Sequence, residues 1–321
     1  MFRPVGTLLT SILSLCTGCG IVGGLLSPSG PAATHDIPPF MVAPAYPSAP
    51  HERFIAIGDM GTGRQSQRAV AAAMADRARV DGLDFIITVG DNIYPNGVRS
   101  ADDDQWKSKF EDVYADPSLQ VPIYPTLGNH DHRGSVQAQI EYSDHNDNWR
   151  MPASYYTFTR SLVDGTRVQF FAVDTTPINA GSAGAEAQLA WLDGQLGGSD
   201  ADWKIVFGHH PLFGHNPWRG YNESMIASLE PLFTRHAVDL YLAGHDHALE
   251  MLKPIDGVSY VITGAGGGPD KAYPVEWTDG SYYAATGGGF TLIRLSKSEI
   301  IVEFVRMDGE TQYAHTIMQD D

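Results

Sequence analysis

Five short apolar runs in this chain each end in a glycine followed at once by a cluster of polar side chains. This repeated ending constrains the fold more than any other feature of the sequence. Residues 54–57 run into Gly58-Asp59-Met60-Gly61, and 84–89 into Gly90-Asp91-Asn92-Ile93-Tyr94. Residues 123–127 run into Gly128-Asn129-His130-Asp131, 203–207 into Gly208-His209-His210-Pro211, and 240–243 into Gly244-His245-Asp246-His247. Uniformly apolar runs this short read as strands covered on both faces. A glycine lets the backbone turn where a strand stops. The side chains that follow then stand at the C-terminal edge of a sheet, where α/β folds gather ligands.

The segments between the runs set the architecture. Gln65–Val80, Asp102–Tyr114, Glu186–Leu196 and Glu223–His236 carry helical periodicity. Tyr155–Thr159 and Val168–Val173 read as further strands. Helices between early strands imply parallel pairing. After Leu249 the pattern changes to strands at 249–253, 258–263, 290–295 and 300–306 with glycine-rich connections, which implies an antiparallel meander. The result is an α/β domain with more strands than one open sheet usually holds, so two stacked mixed β-sheets flanked by helices are expected. No internal repeat and no second folded domain are evident, and residues 51–321 form one domain.

The first 50 residues have a different character. Arg3 is the only charged residue before Asp36, Val5–Leu15 is apolar, and small residues follow. That order is the pattern of an export signal, assigned to residues 1–19. The Thr17-Gly18-Cys19 ending resembles a bacterial lipoprotein signal, in which Cys19 would carry a lipid and attach the chain to a membrane. Simple cleavage and retention as an anchor remain open beside it. Residues 20–50 read as a tether, with seven prolines between 27 and 50. The protein is thus expected in the cell envelope or periplasm, or secreted. Its only cysteines, Cys16 and Cys19, lie in the leader, so the folded part has no disulfides. With 21 Lys and Arg against 38 Asp and Glu, the net charge is −17, and no nucleic-acid scaffold is expected as a partner.

Aspartates, an asparagine amide, imidazoles and a phenol form an oxygen and nitrogen donor set suited to iron, manganese or zinc. Asp59, Asp91, Tyr94, Asn129, His209, His245 and His247 are seven donors, too many for one ion. With Asp91 bridging, they divide into two sites with room for water and substrate. Paired ions about 3.5–4 Å apart can clamp the attacking and leaving oxygens of an in-line displacement, which suits phosphoryl transfer. Taken singly, a Gly-Asp after a strand is usually a turn, and His210 reads as a residue packed beside its neighbouring ligand. Five such clusters in this order leave the turn reading little room.

These motifs resemble those of the metallophosphoesterases of calcineurin type, and more narrowly the purple acid phosphatases, which Tyr94, three residues after Asp91, marks. Gly128-Asn129-His130-Asp131-His132, Phe110-Glu111-Asp112-Val113, Ala243-Gly244-His245-Asp246-His247 and Thr263-Gly264-Ala265-Gly266 are similar to the small tartrate-resistant type, over about residues 53–307. The resemblance implies that Asp59, Tyr94 and His247 hold a ferric ion. It implies that Asn129, His209 and His245 hold a divalent ion (iron, zinc or manganese), with Asp91 bridging. It further implies hydrolysis of small phosphate monoesters by a metal-bound hydroxide. His130 would be the proton donor and, with Asn129 and His215, a substrate contact. The family usually has its second histidine further along this loop, whereas His215 lies six residues after His209. A phenol with an ordinary pKa near ~10 ionises at acid pH only beside a strong Lewis acid, so Tyr94 points to a trivalent ion. The alternatives are a two-metal phosphodiesterase or nucleotidase without a ferric-tyrosinate site, and a non-catalytic metal- or phosphate-binding envelope protein.

Overall fold

The computed structural model describes residues 51–268 and 274–319, so the export signal, lipid site and tether read from the first 50 residues lie outside the described residues. Among the described residues, no helix is long and apolar enough to cross a membrane.

The first sheet opens with β1 (Glu52–Ile57), and α1 (Gln65–Asp81) carries the chain back to the parallel strand β2 (Phe85–Val89). β3 (Ile123–Thr126) pairs parallel with β2. After β3 come α2 (Val136–Glu141) and the hairpin of β4 (Tyr156–Ser161) and β5 (Arg167–Ala172), which starts the second sheet. The helices α3 (Thr175–Asn179) and α4 (Ala185–Gly197) precede β6 (Trp203–Phe207), and α5 (Glu223–Arg235) precedes β7 (Leu240–Ala243). The meander follows as β8 (Ala248–Leu252), β9 (Ser259–Thr263), β10 (Ser281–Thr286), β11 (Gly289–Leu295), β12 (Glu299–Arg306) and β13 (Thr311–Met318). The six-stranded sheet runs β13-β12-β11-β1-β2-β3 and the seven-stranded sheet β10-β8-β9-β7-β6-β5-β4, both mixed. Two stacked mixed sheets are what the sequence implied.

Period-two alternation assigns each strand residue to a layer. Phe170 faces the other sheet, edge-on to Phe54 at 5.6 Å and to Phe85 at 5.5 Å between ring centres. Phe171, its neighbour, points the other way and packs in a separate cluster with Leu229 and Phe233 of α5 and Tyr241 of β7. One apolar layer thus joins the sheets and another holds α4 and α5 on the second sheet. Both layers fix the strand ends that carry the polar clusters.

Two expectations need correction. The helix read over 102–114 is only a five-residue π-helical turn at Lys107–Glu111. Asp103 accepts hydrogen bonds from the backbone N–H groups of Arg99 and Gln105, a local alternative that competes with helix at its start. The strands β10 and β13 escape a hydropathy reading because their burial is partial, as in an edge strand with one wet face.

Candidate metal centre

The ends of β1, β2, β3, β6 and β7 meet at one edge of the two sheets. Asp59, Asp91 and His245 are there in the left-handed backbone region, with φ of 54°, 52° and 68°. Non-glycine residues hold such conformations at a cost of order 1–3 kcal/mol each, and only where the surroundings over-determine them. Here hydrogen bonds fix each one. The Asp59 amide donates to Gly90 O at 3.0 Å, His245 N to Asp59 Oδ2 at 2.7 Å, and His130 N to Asp91 Oδ1 at 2.8 Å. Gly90 is required by close approach as well as by its φ of 87°. A Cβ on it would lie 2.7 Å from Gly128 N and 2.8 Å from His209 Nδ1.

Two constellations result. In the first, Tyr94 Oη lies 2.9 Å from Asp59 Oδ1 and 3.2 Å from His247 Nε2, with His247 Nε2 3.3 Å from Asp59 Oδ1. In the second, His209 Nε2 lies 3.2 Å from Asn129 Oδ1, 3.2 Å from His245 Nδ1 and 3.5 Å from Asp91 Oδ1. His209 Nδ1 sits 2.9 Å from the carbonyl of Val89, which can only accept, so Nδ1 carries a proton and Nε2 is the nitrogen turned inward; burial opposes charge on this ring, but Asp91 and Asp59 outweigh it and hold the imidazole above its usual range. Nε2, the amide oxygen and the carboxylate converge, an arrangement that calls for a cation between them, a proton or a metal ion. Donors about 2.0–2.2 Å from one ion lie roughly 3–3.6 Å apart around it. All but the 2.9 Å spacing of Tyr94 and Asp59 fall in that range, and the donor set fits two ions. Asp59, Asp91 and His209, and His209, His210 and His245, form groups that could hold a metal.

The electrostatics demand positive charge. Asp59 and Asp91 are almost wholly buried. Burial pushes Asp59 up, but His209, His247 and the Tyr94 hydroxyl outweigh it and hold the carboxyl below its usual range. Burial first, then Asp59 and Asp91, drives the Tyr94 phenol far above its ordinary value. Ionising this phenol therefore takes a cation of high charge beside it. Burial and the neighbouring His209 keep His210 and His245 neutral, the state in which imidazole ligates.

His130 stands at the rim, its ring 4.5 Å from that of Tyr94. Its Nδ1 lies 2.6 Å from Pro95 O, which can only accept; the proton is on Nδ1, and Arg133 Nη1, 3.1 Å away, has no lone pair there to bond. Nε2 faces inward, 4.0 Å from Asp91 Oδ2. His215 lies outside both constellations. Its Nδ1 is 2.5 Å from the buried Glu250 Oε1 and 2.9 Å from Ser281 Oγ, and no hydrogen bond among the described residues ties it to the constellations.

Three further residues border the donors: His210 packs beside its neighbouring donor as the sequence implied, while Asp131 and Arg219 were not singled out. Asp131, fully buried, accepts from the amides of Asn92, Ile93 and Gly128 at 3.0, 3.2 and 2.9 Å and from Gln139 Nε2 at 2.8 Å. It ties the loop after β2 to the loop after β3, and burial and Asp91 push its carboxyl up to about 6. His210 packs its ring 4.5 Å from that of His245, with Nδ1 2.9 Å from Thr175 Oγ1. Arg219 donates to the His245 carbonyl at 2.9 Å. Asp131 closes the Gly128–Asp131 motif, a signal that could have found it; Arg219 lies in a loop without a motif.

Stacked mixed sheets whose strand ends bring these donors together define a class, and residues 52–249 match the family of calcineurin-like phosphoesterases. The chain is 34% identical over 292 residues to tartrate-resistant acid phosphatase type 5 of Sus scrofa, covering 81% of this chain and 85% of the relative. It is 31% identical over 281 residues to purple acid phosphatase 4 of Arabidopsis thaliana, covering 80% and 81%. Among solved structures, GAP50, the anchor in the inner membrane complex of Plasmodium, superposes with a TM-score of 0.76 at 26% identity, covering 85% of this chain and 90% of that one. The chain therefore belongs to the purple acid phosphatases, a branch of the calcineurin-like phosphoesterases.

Proposed function

We propose that the chain is an acid phosphatase that hydrolyses small phosphate monoesters at a two-ion centre. Asp59, Tyr94 and His247 hold a ferric ion, Asn129, His209 and His245 a divalent iron, zinc or manganese ion, and Asp91 bridges them. The observation that carries this reading is the pair of constellations with donor spacings of 2.9–3.5 Å. Bound there, the ions supply Lewis acidity toward the phosphate oxygens and toward water. The chain's own residues supply orientation and a proton. The Val89 carbonyl fixes the tautomer of His209, and the His245 amide holds the Asp59 carboxylate. Pro95 O takes the Nδ1 proton and locks the His130 ring so that Nε2 points at the site; as imidazolium, with a second proton on Nε2, the ring donates that proton to the leaving oxygen.

The assignment of the ferric ion rests on Tyr94, since its buried phenol ionises only beside a highly charged cation. Residues 51–321 are the catalytic domain, 20–50 a tether and 1–19 an export signal, a reading supported by the uncharged apolar leader and the proline-rich stretch after it. Similarity to a protein described as an anchor raises a second reading, a binding role without turnover. The converging donors of the second constellation and the oriented His130 favour catalysis. The visible spectrum of aerobically purified protein tests the proposal. A broad purple band lost in Tyr94→Phe is expected; a colourless wild type holding two metals would remove the ferric-tyrosinate assignment.

A further inference from the structure

The loop from Pro211 to Asn222 joins β6 to α5 and was expected to bring a second substrate contact, His215, into the site. His215 Nδ1 is held by Glu250 and Ser281, and four positions later the same loop brings a second residue to the main chain of His245. Arg219 Nη1 donates to the main-chain carbonyl of His245 at 2.9 Å and lies 3.1 Å from Asp246 Oδ1. Asp246 is 2% exposed and also accepts from Asn216 Nδ2 at 3.2 Å, so the anchor is itself fixed. Arg219 and His245 line one open cavity of about 490 Å³, together with Tyr221 and Asn222. The guanidinium is thus held against the main chain of one residue of the second constellation, on a cavity that this residue also lines.

A guanidinium is always charged and presents its donors in a fork that matches two phosphate oxygens. A monoester dianion offers three non-ester oxygens. A diester offers two, and places a second substituent where a third would accept. Resting on the phosphatase reading above, we infer that Arg219 is a phosphate-binding and specificity-determining residue, anchored by the His245 carbonyl and Asp246, that selects phosphate monoesters over diesters.

The test uses the full, metal-loaded chain with Arg219→Ala and Arg219→Lys. It measures binding of inorganic phosphate by calorimetry, and kcat and KM for an aryl phosphate and its bis-aryl diester. Loss of a charge-assisted bidentate contact is expected to weaken phosphate binding and raise the monoester KM by about 10–100-fold in Arg219→Ala. The monoester kcat falls less, and the diester changes little, so the preference for monoesters narrows about tenfold or more. Arg219→Lys keeps charge but loses the fork, and is expected to weaken phosphate binding by roughly three- to tenfold; it also decides the matter if Arg219→Ala does not fold. Unchanged phosphate affinity with an unchanged preference overturns the inference, even if the melting temperature falls, because a purely structural role moves stability and not this ratio. A wild type that binds phosphate through Arg219 yet hydrolyses no ester overturns the phosphatase reading and leaves the Arg219 contact standing.

Discussion

Replacing His130 by alanine separates proton donation from metal binding, because this residue serves the centre in two independent ways. Its main-chain amide donates to Asp91 Oδ1 at 2.8 Å, a bond that alanine keeps. Its side chain supplies the inward Nε2 and spends Nδ1–H on Pro95 O. The ring is only partly buried, so its loss removes one hydrogen bond and an aromatic contact with Tyr94, about 1 kcal/mol of stability. The melting temperature should therefore fall by only roughly 2–4 °C, with metal content unchanged. Catalysis should suffer far more. Removing a positioned general acid costs about 10²–10⁴ in rate, or roughly 2.7–5.4 kcal/mol at 1.36 kcal/mol per tenfold. The loss should depend on the leaving group. An aryl oxide, the conjugate base of a phenol with a pKa near ~10, departs with less help than an alkoxide. The fall in kcat should thus lie near the lower figure for an aryl phosphate and near the upper one for an alkyl phosphate. Single-turnover rates on both substrates, with metal analysis of the same sample, provide the assay. Equal losses on both esters, or a kcat within tenfold of wild type on the alkyl ester, would refute proton donation by His130. Metal lost in step with activity would show that the ring supports the site instead.

Two further substitutions test how the fold holds the centre. Gly128→Ala would place a Cβ 2.8 Å from Asp91 Cγ, and closer still to the Asp91 amide nitrogen and Oδ1. With backbone on one side, relief requires moving Asp91, so metal content should drop and stability fall by about 3 kcal/mol or more; an alanine variant with full metal occupancy would contradict this. Glu303, fully buried in β12, accepts from Arg294 Nε at 2.8 Å and from Arg77 Nη2 at 3.1 Å. Glu303→Ala should cost about 3 kcal/mol, the lower end for breaking a buried pair, because Arg294 keeps Asp81 at 3.3 Å. A thermal shift of roughly 6–12 °C is expected, and one under about 2 °C would count against it.

The sequence carried the centre because its chemistry is local at each strand end. Gly90-Asp91 and Gly244-His245 each encode a stop, a turn and a donor within two residues, and an apolar run before each fixes the edge at which it stands. The two-sheet architecture, and seven positions that meet as candidate donors, could therefore be read without coordinates. The short π-helical turn at Lys107–Glu111 could not, since helical periodicity does not register a side chain such as Asp103 bonding to nearby amides. Nor could β13, whose half-exposed residues lack an apolar run.

What only tertiary structure decided is which polar side chains outside the motifs face the centre. His215 and Arg219 lie four residues apart in one loop, and no local pattern favours either. The choice depends on distant partners. Glu250 on β8 and Ser281 on β10 hold His215, while Asp246 and the His245 carbonyl receive Arg219. Likewise, Asp131 reads as the last letter of a motif. Its role in tying two loops together comes from a fourfold hydrogen-bond pattern that forms only when β2 and β3 lie side by side. Strand ends are written in the order of residues; the company that a loop side chain keeps is fixed by which buried groups must find a partner once the sheets have stacked.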